Sequence, residues 1–552
     1  MKKLYINFSL GILLIIGALL RFYDLNWGAP FYFHPDERNI ASSISNIHLI
    51  QNLNPHFFAY GSLPIYITYF VGVLANYFVS FFGNVQDIFH VSFESAIIIS
   101  RFFSALLSLG TIFLLYKTAR IFLNKKYSLF TASLATGSVG LIQYAHFGTF
   151  EMYLTFFSLL LLYILLEYIT SFRYRYFIYS LIVIGTLCSI KISSLVLFPI
   201  PFIILIYKLF KGENITSQLM RSVFPKILAS FVIGIFLFMT IFVITNPFSL
   251  LDFKSFYNSI SYESDVATGS LSVFYTGTFN NTVPILFQFM YVLPFLLNPI
   301  VWIFVLPSLA IICFKSIKKN SDKLKLLIVF FLFLFIPQAI LFVKWTRYMV
   351  PTLPILYLII VIGIYEAQKL FKFKQRVGRV VFAIVILFLI ISTEIWTFAF
   401  IKTVYIDPDT RISAAEEMRN LKDTSTIVLS ESYDLGITPF NEIFSSIKLF
   451  DFYGLETNTD LQEDLPSLVS QSDILILPSQ RIVKSRILNK SKFPHGYKFY
   501  QSLLSSSQFT EIYKTPCDFW CSLLYLGDPI YGVEDTANVF DRPTVTIYRI
   551  GQ

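Results

Sequence analysis

The chain has 552 residues, 55% hydrophobic and only 14% charged, against about 25% charged in a soluble domain. Its mean hydropathy is +0.65, and its apolar residues come in runs of about 17–22, long enough to cross ~30 Å of hydrocarbon, which excludes a soluble globular protein. The formal charge of +9 divides into +16 over residues 1–403 (30 Lys+Arg, 14 Asp+Glu) and −7 over 404–552 (13 and 20), and the basic residues sit in short loops, where membrane orientation accounts for them and nucleic-acid binding does not.

The first run, MKKLYINFSLGILLIIGALL, follows Lys2 and Lys3 and meets Arg21-Phe22-Tyr23 at once. With no small-residue cleavage site after it, it reads as an uncleaved span whose N-terminus is inside. Further spans are predicted near 96–116, 127–145, 152–170, 176–190, 192–207, 225–245, 298–314, 325–343, 350–365 and 378–398, about eleven in all. Loops on one side carry Lys117, Arg120, Lys125 and Lys126, then Arg173 and Arg175, then Lys208, Lys211, Arg221 and Lys226. They continue with Lys315, Lys318, Lys319, Lys323 and Lys325, and with Lys369, Lys372, Lys374, Arg376 and Arg379. With Lys2 and Lys3 these are 22 of the 30 basic residues of 1–403. The positive-inside rule makes that side cytoplasmic and, with an odd span count, puts the C-terminal part outside. Two apolar stretches, 62–83 and 283–296, would reverse this topology if they crossed. They are expected to lie in the interface, or to dip in and return.

From about residue 404 the pattern changes. RISAAEEMRNL (411–421) has helical spacing, while TIVLSE (426–431), DILILPS (473–479) and TVTIYRI (544–550) read as short buried strands. The alternation predicts a small extracytoplasmic α/β domain. Cys188 and Cys313 fall within spans and read as inert. Cys517 and Cys521 lie in the outside domain, where a disulfide and two free thiols both remain open.

The segment FYFHPDERNI (31–40) crowds His34, Asp36, Glu37 and Arg38 beside the end of the first span. Pro35 suits a first helical position, with both acids in the first turn. Ile40, Ile44 and Ile47 follow at helical spacing, as in an amphipathic helix lying on the outer membrane surface. Ordinary helix-start chemistry explains one acid. It does not explain a cluster where charge is costly. Neighbouring residues on a helix point ~100° apart, so Asp36 and Glu37 cannot both address one atom.

Other polar residues mark the same ends of later spans: His146 and Glu151 in HFGTFEMYLTFF, Lys191 in CSIKISS, and Lys344, Arg347 and Tyr348 in KWTRYMVPTLP. Each alone is an ordinary interfacial anchor. Together they form a set of acids and cations on one side of the membrane. A carboxylate can serve as base, and Lys or Arg can hold phosphate, a combination suited to a lipid-phosphate substrate reached sideways from the bilayer.

FHPDE after a first span, FxxxEMYLTFFSLLLLY, SIKISSLVLFP, NPFSLLDF and RYMVPTLPILYL resemble the GT-C membrane glycosyltransferases. The nearest group is the family-39-like bacterial and archaeal enzymes related to protein O-mannosyltransferases, with the aminoarabinose transferases as cousins. The similarity spans the membrane part, and the tail from YIDPDTRISAAEEM to DRPTVTIYRI resembles the outer domain of that subgroup. The resemblance implies a polytopic α-helical membrane protein of about eleven spans: a GT-C-like catalytic domain over 1–403 and an extracytoplasmic α/β domain over 404–552. Within the first, 21–95 would form a first outer loop with interfacial helices and 246–297 a later one. The implied activity is inverting transfer of a sugar from a polyprenyl-phosphate donor to a hydroxyl of protein, lipid or glycan, on the outer face of the cell membrane.

By the same resemblance Asp36 would be the general base, with Glu37 supporting it or orienting the acceptor. Lys191 and Arg347, with Tyr348, would hold the donor phosphate. Glu151 stands where relatives often have Asp. His34 and His146 could join the acids around a divalent metal ion, a cofactor on which the superfamily varies. TNPFSLLDF (245–253), with Tyr262, Glu263 and Gly269, would line the acceptor side. Two readings of other classes stay open. A transporter or lipid-linked-sugar flippase would gather charge near the midplane, on broken helices and internal repeats. Here charges gather at the outer ends, and no repeat is visible. A structural membrane protein whose tail binds partners leaves FHPDE without a role.

Overall fold

A computed structural model describes residues 2–83, 85–211, 217–370, 376–419 and 426–551. Of the residues used above, Lys372, Lys374, Asn420 and Leu421 lie outside the described residues, as do the side chains of Lys2, Lys3, Arg221, Arg376 and Arg379. The fold is helical, with a five-stranded sheet domain at its C-terminal end. Among the described residues eight helices are long and apolar enough to cross a membrane, and Phe8–Phe22, Tyr174–Cys188 and Gln288–Leu297 are shorter apolar helices.

The chain opens with α1 (Lys2–Phe22) and then α2 (Pro35–Ser45), which begins at Pro35 as predicted, with Asp36 and Glu37 in its first turn. The next helices are α3 (Leu63–Ser80) and α4 (Phe93–Ala119). Two expectations change here. The stretch 62–83, expected in the interface, contains one continuous helix with the length and hydropathy of a span. Ile40 and Ile44 of α2, and Ile47 just past its end, do not face lipid: they are buried with Ile65 and Tyr69 of α3 and Ala96 and Ile97 of α4. Periodicity identifies an apolar face but not what covers it.

The predicted span 127–145 is two helices, α5 (Lys125–Thr136) and α6 (Val139–His146), broken at Gly137-Ser138. A helix end leaves carbonyls without intrahelical partners, and Arg21 supplies them. Fully buried, it donates to the carbonyls of Ala135 (2.9 Å) and Thr136 (3.0 Å) and to Ser108 Oγ (2.8 Å). The helices α7 (Glu151–Ser171) and α8 (Tyr174–Cys188) follow. The ten-residue apolar helix Gln288–Leu297 is about 15 Å long. That is too short to cross, in keeping with the reading of 283–296.

The C-terminal sheet has the order β2-β1-β3-β5-β4. Strands β1 (Ile427–Glu431), β3 (Ile474–Leu477) and β5 (Thr546–Ile550) are the predicted ones; β2 (Ser446–Phe450) and β4 (Phe509–Lys514) are the edges. β1 pairs in parallel with β2 and β3, and β5 runs antiparallel between β3 and β4. Alternate residues bury on opposite faces: Leu429 and Leu475 with Tyr500 and Leu503, Val428 and Ile476 with Ala414 and Met418. Cys517 and Cys521 form a disulfide. The domain is docked on the helices: Gln143 Nε2 donates to Asp541 Oδ2 (2.9 Å) and Arg542 Nε to the Thr403 carbonyl (3.1 Å).

One close backbone approach places the loop between α2 and α3. Gly61 N–H donates to the Ile190 carbonyl (2.9 Å), and a Cβ on Gly61 would stand 2.0 Å from the Ser189 carbonyl oxygen. Gly61→Ala is therefore expected to lower the thermal unfolding midpoint in detergent and open 55–62 to protease. Gly11→Ala, whose added Cβ meets nothing within 4 Å, is the control and should leave both unchanged.

Candidate active site

The two acids of α2 diverge as their spacing requires. Glu37 turns into the protein, where Arg101 of α4 grips it with two parallel hydrogen bonds, Nε to Oε1 (2.8 Å) and Nη2 to Oε2 (2.7 Å). Gly148 N–H adds a third, to Oε1 (2.5 Å). Arg101 also donates to the carbonyls of Leu25 and Trp27 and stacks on the Trp27 ring, 4.4 Å from its centroid. Burial works to raise the Glu37 carboxyl; the Arg101 guanidinium outweighs it and holds the acid ionised, below its ordinary range.

Asp36 faces a cavity of about 360 Å³. Arg347 Nη1 donates to its Oδ2, and so, at 3.4 Å, does the Tyr60 hydroxyl, which itself accepts from Arg347 Nη1 (2.9 Å). Burial again works upward, and Arg347 outweighs it, so Asp36 is also held below the usual carboxylate range. Glu151, Glu263, Tyr262 and His34 line the same cavity. Burial raises the Glu263 carboxyl and lowers the His34 imidazole, which stays neutral between Phe147 and Phe540 (ring centroids 4.7 and 4.2 Å).

A second, narrower groove of about 40 Å³ shares Glu151 and Arg347 with the cavity. Lys191, Tyr348, Leu154, Leu197 and Leu334 complete much of it. The Lys191 ammonium lies 4.5 Å from the Tyr348 ring centroid and 5.8 Å from that of Tyr60, with no hydrogen-bond acceptor or carboxylate among the described residues. Burial brings it down to about 8. One end of the site thus offers apolar walls and a cation, the other an ionised carboxylate, and Arg347 stands in both.

Four buried polar atoms around the cavity lack a partner: His34 Nδ1, Thr149 Oγ1, Glu151 Oε2 and Arg347 Nε. Buried polar atoms are normally satisfied, and these four leave room for a polar ligand's hydrogen bonds. Among the described residues no group of three or more His, Cys, Asp or Glu is arranged to hold one. His146, expected beside the acids, is turned away: its ring stacks on Tyr405 (4.1 Å) and its nitrogens meet the carbonyls of Ile142 and Tyr23 (both 2.8 Å). Gly269 lies outside the cavity and ends the helix Phe253–Thr268 at φ +83°, against Phe342.

Sequence reading missed several contributors. Tyr60, Tyr144 and Thr149 come from the membrane part, and Tyr433, Arg481, Thr536 and Phe540 come from the sheet domain. Glu534 of that domain accepts from Thr346 N–H (2.9 Å) and Oγ1 (2.7 Å), fixing the residue before Arg347. No local pattern announces these. Arg101 did carry a signal: it is a lone cation in an apolar span.

Residues 73–245 match the profile of the dolichyl-phosphate-mannose-protein mannosyltransferase family. That segment holds Glu151 and Lys191 but not Asp36 or Arg347. No curated protein sequence matches the chain. Among solved structures it is similar to the apo oligosaccharyltransferase of Archaeoglobus fulgidus, at 12% identity and a TM-score of 0.53, over 100% of this chain and 89% of that one. The same archaeal protein, AglB, in complex with an inhibitory peptide and a dolichol-phosphate gives 12% and 0.52 over the same shares. ArnT from Cupriavidus metallidurans bound to undecaprenyl phosphate gives 11% and 0.49, over 99% and 98%. The chain thus shares its fold with the archaeal oligosaccharyltransferase, and its residues 73–245 are similar to the mannosyltransferase family.

Proposed function

We propose that the chain transfers a sugar from a polyprenyl-phosphate carrier to a hydroxyl acceptor, with inversion, at the outer face of the cell membrane. The observation that carries this reading is the meeting of the two cavities at Glu151 and Arg347. The donor phosphate meets Lys191 and Arg347, and its lipid chain runs outward past the apolar residues of the groove. The sugar then projects into the cavity that Asp36 faces. The archaeal structure of like fold is in complex with a dolichol-phosphate, a ligand of the same kind as the carrier.

Asp36 takes the proton of the acceptor hydroxyl as its oxygen attacks the anomeric carbon. The bond from that carbon to the phosphate oxygen breaks, and its electron pair leaves on the phosphate. Lys191 and Arg347 stabilise the growing charge, with Tyr348 flanking them. Arg347 serves two anions in turn. Before the donor arrives it keeps Asp36 ionised; a phosphate in the groove competes for the guanidinium and leaves Asp36 a stronger base. Glu151 and Glu263 contact the sugar or the acceptor. Glu37, paired away from the cavity, positions Asp36 instead of meeting substrate.

Three outcomes follow from these roles. In liposomes with labelled polyprenyl-phosphate sugars and a membrane extract as acceptor, Asp36→Asn should fold normally and lose about 10²–10⁴-fold in transfer; normal turnover would refute the base assignment. Glu37→Gln should instead destabilise, by about 3–5 kcal/mol, because it leaves the buried Arg101 charge without its partner, and calorimetry of the purified protein reads this directly. The third concerns pH. The Lys191 pKa, about 8, lies below that of a free lysine, so the cation is present below that pH and lost above it. Donor kcat/KM should fall as pH rises through about 8. The same fall in Lys191→Arg would remove Lys191 from the phosphate site. On the acid side Asp36, held low, keeps activity until pH drops below the ordinary carboxylate range.

A further inference from the structure

Part of the cavity wall comes from the sheet domain, and it carries a cation that the reaction as described does not use. Arg481 is the first residue of the helix Arg481–Leu488. Its guanidinium lies over the rings of Tyr275 (5.4 Å) and Phe540 (6.0 Å). Among the described residues it has neither a carboxylate nor a side-chain hydrogen bond. The other arginines near it are engaged: Arg347 with Asp36, Arg411 with Asp409, and Arg486 with Ser485 and the Tyr453 carbonyl.

The surroundings of Arg481 are aromatic. Phe274 stacks on Tyr433 (5.0 Å) and meets Tyr453 (4.6 Å), and Tyr275, Trp345 and Phe540 extend the surface around the cavity. Flat aromatic faces with polar groups at their edges suit a sugar ring, whose C–H face is apolar and whose rim is hydroxylated. The unpartnered His34 Nδ1 and Thr149 Oγ1, both in residues at least nine-tenths buried, line this cavity and await polar contacts. The donor phosphate is already met by Lys191 and Arg347 in the groove, and Arg481 does not line that groove. Its charge therefore serves the other substrate.

Resting on the transfer reading, we infer that Arg481 forms an anion subsite and that the acceptor is an anionic saccharide, a sugar bearing a carboxylate or phosphate beside the hydroxyl that reacts. The planar guanidinium fork can grip either group with two hydrogen bonds. The sheet domain, through this one side chain, then selects the acceptor by charge, and the aromatic wall holds its ring against Asp36. A neutral peptide hydroxyl would leave Arg481 facing nothing.

The test reads binding and needs no turnover. Purified wild type and Arg481→Gln in detergent are titrated with methyl glucuronide, glucose 1-phosphate and the neutral methyl glucoside, followed by saturation-transfer NMR. Wild type should bind at least one anionic probe about ten-fold or more tighter than the neutral one. Arg481→Gln should bring them within about two-fold, and Arg481→Lys should retain part of the preference. Binding of labelled undecaprenyl phosphate should be unchanged in Arg481→Gln, which separates an acceptor subsite from a disturbed donor groove. The tighter of the two anionic probes names the source, a uronate or a sugar phosphate. Equal affinity for all three probes in wild type, no binding of any, or a preference that survives in Arg481→Gln would each overturn the inference. If Arg481→Gln proves protease-sensitive because its tail has undocked, Arg481→Lys decides: full neutral-like binding in a protease-resistant Arg481→Lys counts against a charge subsite. Loss of transfer in Asp36→Asn with no probe preference here would leave the transfer reading standing and remove only this one.

Discussion

The geometry of the site depends on the buried pair of Glu37 and Arg101. Both side chains are at most 1% exposed, and two charges in such a place are tolerated only when every donor and acceptor is used. Here each guanidinium nitrogen and both carboxylate oxygens are used: Arg101 ties the start of α2 to the loop carbonyls of Leu25 and Trp27, and Glu37 reaches on to Gly148 in the turn before α7. Three segments distant in sequence thus share one ionic knot. Because consecutive helical residues diverge by ~100°, fixing Glu37 inward fixes Asp36 outward. Asp36 has its direction from its neighbour.

Arg347 is fixed with comparable care. The span that it nearly begins, Thr346–Lys369, has 89% of its apolar window buried, against 17–44% for most of the other long helices. It is the central helix of the bundle, and the side chain at its end is correspondingly well placed. The sheet domain adds the Glu534 contacts to Thr346 and contributes Tyr433, Arg481, Thr536 and Phe540 to the cavity. It is a wall of the site, and a chain truncated before it would lack part of the cavity as well as a module.

Much of this was legible in the sequence, for reasons that differ by element. Long apolar runs and loop charges gave the membrane part, since hydrocarbon imposes length and orientation on any chain. Strands β1, β3 and β5 showed as apolar runs because they are central and buried on both faces. Edge strands β2, SIKLF, and β4, FTEIYK, did not, being half polar. The break at Gly137-Ser138 was hidden because its carbonyls are capped by Arg21, more than a hundred residues away. At the site, Asp36, Glu151, Lys191 and Arg347 stood out as charges at span ends. The roles of Glu37 and His146 could not be read there: whether a polar residue faces a cavity or a buried partner is decided by tertiary contacts.

The unsatisfied atoms around the cavity bring these threads together. Each buried polar group without a partner costs about 1–3 kcal/mol, and His34, Thr149, Glu151 and Arg347 each contribute one. Other buried polar atoms also lack a partner, Tyr168 Oη and Trp302 Nε1 among them, but these four stand together around one cavity. Gathered on one cavity wall, they can receive the hydrogen bonds of a single polar ligand. The stability forgone there is recovered when a polar ligand occupies the cavity that Asp36 and Arg347 line.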